Sequence, residues 1–162
     1  MDTKEYQENI ISLLANHEMA LSDLYELYCD KSSEYRLFWL DISREEIIHA
    51  RWIYQLEESI RKGFVHFNEE RFKAELIQSN IDFIKKEMEK AQKEDISDMG
   101  ALAMAYYLED ALLEKKFFEI FEGDSVEFKN VLKNLARATE EHRERIKETL
   151  KKERKKHGFP VE

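Results

Sequence analysis

The chain has 162 residues, a formal net charge of −9 and 38% charged residues, and it is long enough for one domain with a hydrophobic core. Four glycines and one proline are too few for the many turns of a sheet protein. The acidic balance argues against nucleic acid or a membrane surface as a partner. We therefore expect a single all-α domain over residues 1–162.

Four segments place apolar residues three and four positions apart, the pattern of helices packed in a bundle. They cover about residues 4–29, 33–62, 97–121 and 125–155. The joins within the first pair and within the last pair are short, so each pair is expected to form an antiparallel hairpin. The stretch between the pairs, about residues 63–96, has a helical pattern of its own and predicts one or two crossover helices. Two hairpins with one long crossover are typical of the ferritin-like four-helix bundle.

Each of the four apolar stripes is interrupted near its middle by polar residues. Buried carboxylates repel one another and lose their hydration, so a group of them in a bundle core needs protons or a cation. A glutamate and a histidine three positions apart share a helix face and can reach one ion. Oxygen and imidazole ligands suit iron or manganese. The interrupting residues are Glu18, Glu46, His49, Glu109, Thr139 and His142.

Taken singly, each of these residues also has an ordinary structural explanation. A glutamate on a helix stripe is more often an edge residue that reaches water, and a lone buried histidine is more often a hydrogen-bonded core residue than a ligand. The coincidence of five ligand-type residues at matched midpoints favours a metal-site origin for the group.

Four stretches of the sequence are similar to motifs of a known family: "NHEMALSDLYELY", "FWLDISREEIIHA", "AYYLEDALLEKKFFEIF" and "LKNLARATEEHRERI". The first contains Glu18, and the second contains Glu46 and His49 in a Glu-x-x-His motif. The third contains Glu109 and the fourth contains His142. On these motifs, the chain resembles the rubrerythrin branch of the ferritin-like di-iron carboxylate superfamily over nearly its whole length.

The resemblance implies a bundle core that binds iron, as a di-iron centre or a single ion, with manganese or zinc as alternative metals. It implies reduction of hydrogen peroxide or dioxygen as the activity. Glu46 would bridge two ions, and the terminal ligands would be Glu18, His49, Glu109 and His142. We also expect a homodimer.

The sequence departs from this family in two places. Thr139 stands where the family has its second bridging glutamate, and a neutral hydroxyl is a poor ligand. Cys29 is the only cysteine, so the chain cannot build a rubredoxin iron site and would need an external, rubredoxin-like electron donor. A non-catalytic metal-binding or interaction module with one ion or none is therefore the alternative function.

The remaining expectations concern residues around these stripes. Tyr25 and Tyr106 are candidates for hydrogen bonds to the ligands, although aromatic residues at helical spacing are more often core packing. His17 is expected on the surface. The basic run at residues 151–157 favours a solvated helix end, with an interaction tail as the alternative. Because no membrane span or signal segment is evident, we expect a cytoplasmic protein.

Overall fold

The computed structural model describes residues 3–63, 65–67, 74–110, 121–123 and 126–161, which form five α-helices and one short two-stranded sheet. The helices are α1 (Thr3–Lys31), α2 (Arg36–Arg61), α3 (Ala74–Lys93), α4 (Asp98–Asp110) and α5 (Val126–Lys156). The strands are β1 (Val65–Phe67) and β2 (Phe121–Gly123). The prediction of an all-α helical bundle is confirmed at this level. Residues 111–120 of the third predicted helix and residues 68–73 of the crossover lie outside the described residues.

Helices α1 and α2 pack antiparallel along most of their length. At their crossing, Ser22 and Ser43 each donate a hydroxyl hydrogen bond to the backbone carbonyl of the other, at 3.0 Å. Near the ends, the Arg61 guanidinium of α2 lies 3.6 Å from the Glu8 carboxylate of α1. Serine at a crossing lets two backbones approach closely, and the paired hydroxyls fix the register of the two helices.

The ends of these helices follow local capping chemistry. Gly63 has φ +74° and donates its backbone N–H to Ile60, which ends α2 in the left-handed conformation that glycine adopts readily. Ser97 accepts the backbone N–H of Gly100 at 3.0 Å and so caps the first turn of α4. Gly63 therefore ends α2 before the crossover, and Ser97 begins α4 after it.

Helix α4 runs antiparallel to α1. The Ser32 hydroxyl, just beyond the end of α1, donates to Asp98 at the start of α4 at 2.6 Å. Near the other end of α4, the Tyr25 hydroxyl of α1 donates to Glu109 at 2.7 Å. These two contacts bring the last turns of α4 to the middle of α1, where the first predicted ligand lies.

Helix α5 runs antiparallel to α2 and closes the bundle. Tyr35, which precedes α2, donates its hydroxyl to Glu153 near the end of α5 at 2.5 Å, and Glu45 in the middle of α2 contacts His142. Helix α3 runs alongside α1 with its first turn near Asn9, where the two helices line a shared surface groove. No helix in the described part of the chain is apolar over a length that could cross a membrane.

The two-stranded sheet is the element that the sequence did not predict. Val65 pairs with Gly123 and Phe67 pairs with Phe121 in an antiparallel ladder. The sequence shows no sign of a strand in the crossover stretch, but residues 65–67 pair with the segment that precedes α5. The predicted crossover helix is present as α3.

Candidate metal centre

Helix α2 supplies two adjacent groups of the site. Glu46 and His49 are 1% and 3% exposed, and the Oε2 atom of Glu46 lies 3.0 Å from Nδ1 of His49. Their spacing of three positions places both on one face of the helix. Ile42 and Ile53, one turn before and one turn after the pair, are also buried. The polar pair therefore lies between apolar turns that exclude water.

Helix α1 adds Glu18, which is 3% exposed and directed at the same histidine. Its Oε2 atom lies 3.6 Å from Nδ1 of His49, while its Oε1 atom lies 3.8 Å from Nδ1 of His17. The prediction that His17 lies on the surface is wrong, because this side chain is only 4% exposed. Helix α1 packs against both α2 and α3, so it buries two stripes of residues rather than one.

Helix α5 brings His142 to the second carboxylate oxygen of Glu46. Nδ1 of His142 lies 2.9 Å from Oε1 of Glu46, and the His142 and His49 rings are 4.8 Å apart between centroids. One ligand atom from each of Glu46, His49 and His142 lies within 4.8 Å of the others, and all three residues are buried. The two oxygens of the Glu46 carboxylate therefore contact two histidines from different helices.

Helix α4 contributes Glu109, which is 2% exposed and accepts the Tyr25 hydroxyl. Tyr25 is fully buried and packs on Trp39, with ring centroids 5.6 Å apart. This hydrogen bond to Glu109 therefore supports the predicted role of Tyr25 as a donor to a candidate ligand. Tyr106 is half-buried and lines a surface cavity with Lys147 of α5.

Thr139 is buried, with 8% exposure, one helical turn before His142 on α5. A glutamate at position 139 would lie on the same face of α5 as His142, because residues three positions apart share a helix face. Threonine leaves that face with a short neutral side chain in place of a carboxylate.

Glu45 is a functional candidate that the sequence analysis missed. Its carboxylate accepts a hydrogen bond from Nε2 of His142 and is bound by Arg145, whose Nη1 atom lies 2.8 Å from both carboxylate oxygens. Glu45 lies next to Glu46, but successive residues point about 100° apart around a helix, so the stripe pattern gave it no role. The sequence feature that could have indicated Glu45 is the pair of adjacent glutamates in "SREEIIHA".

The electrostatics of the cluster depend on its carboxylates. Burial lowers the pKa of His49, but Glu18 and Glu46 outweigh this effect and raise it to about 9. Burial acts in the same way on His142, whose pKa is raised to about 11 by Glu46 and Glu45. For Glu109, burial and the nearby charge of Glu46 raise the carboxyl pKa well above its ordinary value. Protons thus balance the negative charge in the metal-free cluster.

These residues fit a metal ion. Two ligands bound to one ion at about 2.1 Å each lie roughly 3–4 Å apart, and the carboxylate–imidazole distances of 2.9, 3.0 and 3.6 Å agree with that spacing. Carboxylate and imidazole ligands suit iron, manganese or zinc, and a bound ion would replace the protons on the histidines. Glu46, His49 and His142 can hold such an ion.

Comparisons with known proteins give no relative for this chain. No protein-family model matches it, and neither a curated protein nor a solved structure is significantly similar to it.

Proposed function

We propose that this protein is a rubrerythrin-like metalloprotein that binds iron in its bundle core and acts as a peroxide- or dioxygen-reducing oxidoreductase with an external electron donor. The buried Glu46–His49–His142 cluster carries the proposal. Three metal-ligating side chains from two helices converge at one level of the core, and burying them without a cation or protons would be costly. Glu18 and Glu109 would complete the ligand set from α1 and α4.

The helix directions support a ferritin-like topology for this bundle. The contact between Glu8 and Arg61 indicates an α1–α2 hairpin. Arg143 of α5 contacts Asp110 at the end of α4 at 2.7 Å, as expected for neighbouring helices of a second hairpin. Helix α3 lies between the hairpins in the chain and runs along α1, as a crossover helix would. In ferritin-like proteins, glutamates from two helices and Glu-x-x-His motifs from the other two project into such a core.

The chain's own residues would bind the ion, orient its ligands and keep water out. Glu46 spans both histidines, so it is suited to the bridging position. Tyr25 holds one oxygen of Glu109 and so limits the directions in which that carboxylate can turn. Bound iron would supply the redox chemistry for reducing peroxide or dioxygen.

A second candidate function is a non-catalytic metal-binding module that holds a single ion, and Thr139 favours it. The family pattern has a bridging glutamate at this position, and the buried threonine cannot supply that carboxylate. One ion on Glu46, His49 and His142 satisfies the cluster without a second bridge.

Metal analysis of the protein purified from iron-supplemented cells tests both functions. About two irons per chain, together with peroxide consumption in the presence of a chemical reductant, supports the oxidoreductase. A single ion without peroxide consumption supports the binding module. No stoichiometric metal after reconstitution with iron, manganese or zinc would overturn both.

The variant Thr139→Glu tests the vacant ligand position directly. We expect it to raise the metal stoichiometry of the protein, because the new carboxylate would lie one turn before His142 on the same helix face. Thr139→Gln is the matched control, since it adds similar bulk without the charge and should leave the stoichiometry unchanged. An unchanged metal content in Thr139→Glu would show that residue 139 does not face a metal position.

A further inference from the structure

Glu45 forms a contact between α2 and α5 that joins the surface of the protein to its buried cluster. Its carboxylate is bound by Arg145 at 2.8 Å to both oxygens and accepts the Nε2 hydrogen of His142. The side chains of Glu45 and Arg145 are 37% and 41% exposed, while that of His142 is 2% exposed. The partly exposed Glu45–Arg145 ion pair thus contacts the buried His142 ring.

The His142 ring is held at both nitrogens by carboxylates of α2. Nδ1 faces Glu46 and Nε2 faces Glu45. If His142 held a metal ion through Nδ1, its Nε2 hydrogen would stay available to Glu45. Metal-binding histidines usually donate their second ring N–H to a carboxylate or carbonyl, which fixes the orientation of the ring.

We propose that Glu45, anchored by Arg145, is a positioning residue that holds the His142 ring with Nδ1 directed at Glu46 and His49. The metal part of this proposal rests on the proposed function, whereas the orientation of the ring is a property of the metal-free protein as well. Glu45 meets the edge of the ring that faces away from Glu46, so it lies outside the ligand cluster. Arg145 contacts both oxygens of the carboxylate and so fixes its direction.

The metal-free protein provides the first test, through nitrogen-15 NMR of the histidine side chains. We expect the Nε2–H of His142 to exchange slowly with water and give a resolved signal in the wild-type protein. Glu45→Ala should lose this signal, while Glu45→Gln should retain it, because the amide carbonyl of glutamine still accepts a hydrogen bond. Glu34→Ala removes a comparable half-exposed contact between Glu34 and Lys156 of α5 and should leave the signal unchanged.

Cobalt(II) titration of the same proteins is the second test. Glu45→Ala should weaken cobalt affinity about 10- to 100-fold with unchanged stoichiometry, and Glu45→Gln should recover part of that loss. Circular dichroism and urea unfolding establish that the variants are folded, and Glu45→Gln keeps the test valid if Glu45→Ala does not fold.

The outcomes separate this proposal from the proposed function. If Glu45→Ala keeps both the His142 signal and the cobalt affinity, the positioning role is overturned. A lower stoichiometry in Glu45→Ala would also overturn it, because Glu45 would then be a ligand. A wild-type protein that binds no cobalt, iron, manganese or zinc, but whose His142 signal depends on Glu45, would overturn the proposed function while supporting the positioning role.

Discussion

The α1–α2 half of the bundle and the α4–α5 half hold their site residues in different ways. In the α1–α2 half, Glu18 and Glu46 both contact His49, so this histidine takes its carboxylates from within the half. In the α4–α5 half, Glu109 accepts its hydrogen bond from Tyr25 of α1, and His142 is held by two carboxylates of α2. The second half is thus oriented largely by residues of the first.

Residue 139 accounts for the part of this difference that concerns His142. Glu46 and His49 form a glutamate–histidine pair within α2, but the matching position before His142 offers no carboxylate within α5. His142 instead takes its carboxylates from α2, and Glu45 and Glu46 point in the different directions that this requires. Because α5 has no carboxylate one turn before His142, the orientation of this histidine depends on helix docking rather than on local spacing.

The largest effect should come from Glu46→Ala, because Glu46 contacts a buried histidine in each half. We expect loss of stoichiometric metal binding and a fall of about 3 kcal/mol in the free energy of unfolding of the metal-free protein, since two buried histidines lose a charged partner. Metal analysis and urea denaturation measure these effects. Glu57→Ala on the same helix, which breaks a partly exposed pair with Arg61, should cost less than about 1 kcal/mol. Equal costs for the two variants would contradict the central role of Glu46.

The pH dependence of stability should distinguish the two histidines. A group whose pKa is raised by folding stabilises the fold below its unfolded pKa, and that contribution is lost as the pH rises through the folded pKa. His49 loses its contribution between pH 6.5 and about 9, and His142 continues to lose its own up to about 11. We expect the metal-free protein to lose on the order of 5 kcal/mol between pH 6.5 and 9, and His49→Ala to lose about half as much. Urea denaturation in chelator-containing buffers provides the measurement, and stability that stays constant or rises over this range would refute the paired-histidine account.

The smallest effect concerns the link from α1 to Glu109. Tyr25→Phe removes the hydroxyl that donates to this buried carboxyl group and should cost about 1 kcal/mol of unfolding free energy. Tyr28→Phe is a matched control, because the buried Tyr28 hydroxyl has no hydrogen-bond partner among the described residues and its removal should be nearly neutral. Thermal or urea unfolding compares the two variants. Similar losses in both would mean that the Tyr25–Glu109 contact contributes little to holding the α4–α5 half.

The sequence predicted the helices well because their apolar spacing is a local property. The stripes on α1 and α2 gave Glu18, Glu46 and His49 as neighbours, and the structure brings these three together. The same reasoning misplaced His17, because it assumed that α1 buries a single stripe. The short strands could not be predicted from apolar spacing, because each is only three residues long. Strand β1 is defined by its pairing with a segment more than fifty positions away.

The sequence by itself determined an all-helical chain with polar interruptions at matched levels of its apolar stripes, because helix periodicity places residues three and four apart on one face. Only the tertiary structure decided which carboxylate each histidine meets. Glu45 and Glu46 are adjacent and chemically identical in the sequence, yet the docking of α5 places one on each edge of the His142 ring. That choice depends on the register and distance of helices far apart in the chain, which local spacing does not specify.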